Sequence, residues 1–164
     1  MPYTIAMERD GLLIELLAYL KKRQYRFTTV TPFTHARVLA RPQAEEPDLR
    51  DIFGWNRHFR ESDVEPELFD LMRRANILLR GDQGFRSALR VASLRADLFL
   101  HSAYPTDDAD AVFFGPDTYR FATLIEKHLP QMSPIAVVDM GSGAGAAGIL
   151  IGKSVPSASV LLVD

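Results

Sequence analysis

Nothing else in the 164 residues constrains the fold as tightly as the run Val137-Val138-Asp139-Met140-Gly141-Ser142-Gly143-Ala144-Gly145. Ile135 to Val138 is a short apolar stretch suited to a buried parallel strand. The glycines after it permit a tight turn and close backbone approach to a ligand. A helix-like stretch follows, and then Val160-Leu161-Leu162-Val163 forms a second apolar run ending on Asp164. Strand, glycine turn, helix and strand are expected to open a nucleotide-binding α/β domain. The chain stops at Asp164, so that domain is expected to be incomplete.

The position of the glycines relative to the strand decides which ligand they suit. A Gly-x-Gly-x-x-Gly pattern runs from Gly143 through Gly145 to Gly148, but by itself it is a weak signal. Taking Gly143 as its first glycine would put Asp139, Gly141 and Ser142 at the end of a buried strand, where apolar residues are wanted. Taking Gly141 as the first makes Ile135 to Val138 the strand and leaves Asp139 at its carboxyl end. The charge of Asp139 would repel a pyrophosphate, which argues against NAD.

In that register the residues resemble motif I of the class I S-adenosylmethionine-dependent methyltransferases, an acid followed by Gly-x-Gly-x-Gly after the first strand. The resemblance implies that Asp139, Gly141, Ser142, Gly143 and Gly145 border the methionine and adenosine parts of S-adenosylmethionine. It also implies that Asp164 accepts hydrogen bonds from both ribose hydroxyls, as the two oxygens of one carboxylate allow.

Upstream, Phe114-Gly115-Pro116-Asp117-Thr118-Tyr119 resembles the Arg-Pro-Glu/Asp-Thr-Glu element of release-factor glutamine methyltransferases and the "methyltransferase small" group. Pro116, Asp117 and Thr118 match, while Gly115 replaces the arginine and Tyr119 the second acid. There the element helps to close the cofactor pocket, which implicates Thr118. The family's acceptor-gripping motif follows a fourth strand and has no counterpart here, so no catalytic residue is named. The expectation is a methyltransferase as the intact protein, inactive as this piece alone, with a protein or RNA as methyl acceptor.

Residues 1–105 are expected to form an α+β accessory or substrate-recognition domain, and residues 106–164 the first β-α-β of a Rossmann-like domain. Leu12, Leu13, Leu16, Leu17 and Leu20 recur at helical spacing and predict a helix over 8–23. Further helices are predicted from Thr31-Pro32 to Leu39, over 48–53 up to Gly54, and from Glu65-Pro66 to about Ala75. After a turn at Gly81 to Gly84, the alternation of Phe85, Leu89 and Val91 predicts a half-buried strand, with Leu98 to Leu100 as its partner. Helices followed by a hairpin fit a winged-helix-like module. Ala111 to Phe114 is read as a short strand, and Phe121, Leu124, Ile125, His128 and Leu129 as one helical face.

Composition narrows the setting. The chain has no cysteine, so disulfides, thiolate metal sites and a cysteine nucleophile are excluded, and a reducing cytoplasm is expected. No signal-peptide pattern or membrane-length apolar run is present, so no membrane partner is expected. His35, His58, His101 and His128 show no metal-ligand spacing. The stretch between Leu16 and Ala44 holds no acid but includes Lys21, Lys22, Arg23, Arg26, Arg37 and Arg41 among aromatic residues. That pattern keeps two alternatives open, an ordinary solvated face and a nucleic-acid-binding module. An NAD-dependent enzyme is the third reading. With only two strands in its parallel sheet, the piece is expected to expose apolar surface and either form a homodimer or bind cofactor poorly.

Overall fold

The computed structural model describes the backbone of residues 2–164 and the side chains of residues 7–164. It is a mixed α and β fold with two small antiparallel sheets and one parallel pair. Helix α1 (Pro2–Lys22) begins six residues before the predicted start and buries Leu12, Leu16, Tyr19 and Leu20. Helices α2 (Pro32–Leu39), α3 (Leu49–Phe53) and α4 (Pro66–Arg74) fall where the caps predicted. The Asp48 carboxylate accepts the Arg50 and Asp51 amides at 2.7 and 2.9 Å, and the Asp51 carboxylate accepts the Asp48 amide at 3.2 Å. This reciprocal cap satisfies the donors that a five-residue helix leaves open at its start. Leu16, Leu20, Ile52, Phe53, Leu68, Met72 and Ile77 then close the first core.

The strand expected from Phe85 onward is two strands with a break between them. Strands β1 (Leu78–Gly81) and β2 (Gly84–Ser87) form a tight hairpin, which the sequence reading reduced to its turn. Phe85 belongs to β2 and pairs with Phe59 through amides at 2.8 and 2.9 Å. At Ser87 the chain turns away, the Ser87 hydroxyl accepting the Leu89 amide at 3.2 Å, and β3 (Leu89–Leu94) pairs instead with β4 (Asp97–Ser102). The partnership of Leu98 to Leu100 with Val91 is as expected.

The β3-β4 hairpin is covered on both faces rather than one. Leu89, Val91, Leu98 and Leu100 pack into the first core. Ala92, Leu94 and Phe99, on the opposite face, pack with Phe114, Ala122 and Ala146 in a second core. Alternation therefore places Arg90 and His101, register partners, on the buried second face, 4% and 1% exposed. The Arg90 Nε donates to the Ser102 carbonyl at 3.1 Å, and no acid pairs with Arg90 among the described residues. His35, also buried, stacks on Tyr104 at 4.3 Å, and the ring nitrogens of His35 and His101 have no protein partner.

Ala111 to Phe114 forms no strand. Only Val112 pairs, its carbonyl accepting the Ser102 amide at 3.0 Å and its amide donating to the Ser102 hydroxyl at 2.9 Å. Helix α5 (Pro116–His128) follows, then β5 (Ala136–Met140), α6 (Ala146–Ser154) and β6 (Ser159–Val163). Strands β5 and β6 are parallel, with Val138 opposite Leu161 and Met140 opposite Val163, and α6 is the crossover between them. Strand β5 runs two residues beyond Val138 and is not buried, Val138 being 56% and Met140 74% exposed. The residues facing α6 are Val137, Asp139, Val160 and Leu162, while Ala136, Val138, Met140, Leu161 and Val163 form a bare apolar face. On α5 only Ala122 is buried, and Phe121 and Leu124 of the expected core face remain half exposed.

Candidate functional site

The carboxyl end of β5 opens into a pocket of about 400 Å³, within the range of small-molecule sites. Three segments build it: the end of β5 with the glycine loop and the start of α6, Ala111 to Thr118 with the first turns of α5, and the end of β6. In the loop Gly141, Gly143 and Gly145 adopt φ of 66, 49 and 70°, a left-handed sequence that side chains with a Cβ resist. The loop is tied to β6 by the Ser142 amide, which donates to the Val163 carbonyl at 3.1 Å. Beside it the Gly143 amide donates to the Asp164 carboxylate at 3.1 Å.

Asp139, Gly141, Ser142, Gly143, Thr118 and Asp164 all line this pocket, so six of the seven residues marked in the sequence converge there. Gly145 does not. It is buried as the N-cap residue of α6, where a Cβ would lie 3.2 Å from Leu162 and 3.4 Å from Ile149, and shapes the turn from behind. Asp139 is held from below, its Oδ2 accepting the Gly148 amide at 2.9 Å, and no other protein hydrogen bond reaches its carboxylate among the described residues. Thr118 serves two purposes, because its hydroxyl also accepts the Gly115 amide at 3.3 Å and so caps α5.

Five contributors were missed, one of them the Asp117 carboxylate. Phe113, Phe114 and Phe121 supply the apolar wall, and Gly148 lets α6 lie close on the sheet. A Cβ at Gly148 would collide with Leu162 and approach Asp139 Oδ2 to 3.2 Å. The Gly143, Gly145 and Gly148 spacing was the visible sign of that close approach. Phe113 and Phe121 carried no comparable signal, since their role depends on the irregular path of 111–115 bringing them opposite the loop.

The lining contains three carboxylates, those of Asp117, Asp139 and Asp164, and three phenylalanines, with no lysine, arginine or histidine. Such a site attracts cations, and its aromatic faces add to that attraction. The described residues contain no group of three or more His, Asp or Glu able to hold a metal ion, and no helix long and apolar enough to cross a membrane.

The basic stretch of the first half has a different fate. Tyr19, Tyr25 and Phe27 are buried, Arg23 pairs with Glu65, Arg26 donates to the Arg95 carbonyl, and Lys21 lies 4.0 Å from Asp97. Phe33 alone among these aromatics is largely exposed, with Arg37 over its ring at 5.7 Å. The β3-β4 turn is bound through Arg95 to Glu126 of α5 at 2.5 Å. Compared with protein-family models, curated proteins and solved structures, the chain matches none.

Proposed function

We propose that residues 106–164 are the S-adenosylmethionine-binding start of a Rossmann-like class I methyltransferase domain, with residues 1–105 as its accessory, substrate-recognition part. The charge of the pocket lining carries this reading: three carboxylates and no cation beside a glycine loop at the end of a parallel strand. S-adenosylmethionine brings a sulfonium and an ammonium to such a site, whereas the pyrophosphate of NAD would meet uncompensated negative charge. Asp139 and Asp164 would hold the cofactor's polar groups, the loop amides and Ser142 its backbone-facing side, and Phe113, Phe114 and Phe121 its apolar surface. Bound there, the cofactor would supply an electrophilic methyl group. The chain's part is to align the cofactor and exclude water from it. The acceptor is proposed to be a protein or RNA.

The nucleic-acid-module reading has one observation in its favour, the exposed Phe33 and Arg37 pair on α2. Against it, a wing at 85–100 would need a free hairpin, and β3-β4 is buried on both faces. Calorimetric titration with S-adenosylmethionine, and with NAD as control, tests the proposal. Heat from S-adenosylmethionine alone is the expected result. Silence from both, with salt-sensitive binding to RNA, would move the function to the first half of the chain.

A further inference from the structure

Phe114 and Tyr119 join the pocket to the first half of the chain. Phe114 is 1% exposed and forms the back of the pocket. Its ring lies 5.5 Å from Phe99 and 5.7 Å from His101, both on β4, and 5.4 Å from Tyr119 in an edge-on contact. Tyr119 follows Asp117 and Thr118 in the first turn of α5, yet it points away from the pocket, and its hydroxyl accepts the backbone amide of Thr29 at 3.0 Å. Thr29 is 4% exposed and belongs to the segment between α1 and α2. Its amide has no other protein partner among the described residues, so the phenol oxygen satisfies a buried donor that would otherwise be left open.

We propose that Tyr119 is a positioning residue for the pocket. By accepting the Thr29 amide it hangs the first turn of α5, and with it Thr118 and the Phe114 wall, on the N-terminal part of the chain, which thereby sets how firmly the pocket holds its ligand. This rests on the cofactor reading above for the identity of the ligand. A second tie between the same parts, Arg95 to Glu126, lies at the far end of α5, where it touches no pocket residue.

The test compares Tyr119→Phe with Glu126→Gln in the full chain, using amide hydrogen exchange and calorimetric titration with S-adenosylmethionine. Tyr119→Phe keeps the ring on Phe114 and removes only the acceptor. It is expected to speed exchange at Phe114 to Thr118 as well as at Thr29, and to weaken S-adenosylmethionine about three- to tenfold, as the loss of one buried hydrogen bond allows. Glu126→Gln is expected to change neither. Exchange altered only at Thr29, or altered equally by both variants, overturns the positioning role. No binding by the parent chain overturns the cofactor reading instead, and the exchange pattern still decides whether Tyr119 holds the wall.

Discussion

The amide of Gly148 donates to Oδ2 of Asp139 across 2.9 Å, so the third residue of α6 fixes the carboxylate at the end of β5. The bond needs the close approach of helix and strand that a glycine permits, and the carboxylate it fixes is one of the three that line the pocket.

Asp139→Asn separates the two roles of that carboxylate. The amide oxygen can still accept from Gly148, while the negative charge is lost. S-adenosylmethionine affinity is expected to fall roughly ten- to hundredfold, the value of a hydrogen bond to a charged group. The melting temperature should move little. Paired calorimetry and thermal unfolding check both, and unchanged affinity would remove Asp139 from the site.

Gly148→Ala puts a methyl group against Leu162 and Asp139 and is expected to cost about 1–3 kcal/mol of stability, read from urea midpoints. Gly141→Ala meets no atom within 4 Å, so its cost comes from the φ of 66° alone, about 1–2 kcal/mol. The two should also reach the ligand by different routes, Gly148→Ala by displacing the Asp139 carboxylate and Gly141→Ala by altering the pocket lining itself.

Acid should destabilise the fold through His35 and His101. Burial, with the Arg90 guanidinium adding to it, holds His35 down at about 4 and His101 at about 3. Both are therefore neutral in the folded chain, whereas the unfolded chain takes up their protons as pH falls through about 6.5. Stability is lost from about pH 6.5 downward to those folded values, by up to about 1.4 kcal/mol per pH unit for each histidine. Urea unfolding between pH 7 and 5 measures the slope. His101→Phe, which can keep the stacking on Phe114, should flatten it.

The helices were legible because their ends carry their own chemistry: Thr31-Pro32, Asp48 with Asp51, and Glu65-Pro66 each stop or start the backbone locally. The hairpins were less so. Strand β3 places Arg90 between Leu89 and Val91, and alternation of that kind reads as one wet face until a second layer is found to cover it. Val112 shows the reverse case, an apolar run that meets only one partner residue and makes no ladder. In the site, residues marked by spacing were found, whereas Phe113 and Phe121 arrive from a segment whose path depends on tertiary contacts.

The bare face of the parallel pair should make the chain self-associate. Val138 and Leu161 lie side by side on it, 56% and 59% exposed, with Met140 and Val163 beside them. Sedimentation at increasing concentration is expected to show a homodimer, and Leu161→Lys to return it to monomer. A clean monomer that also binds cofactor tightly would contradict this expectation.

Because the β3-β4 hairpin is wall to both cores, neither half of the molecule owns it. A cut near residue 105 would leave Phe114, Ala122 and Ala146 without the leaf they lean on, and heat or denaturant should melt the two parts in a single transition. Evolution of the one part is then not free of the other: a change in the first half that shifts this hairpin is felt at Phe114, in the wall of the pocket, without any residue of the pocket having changed.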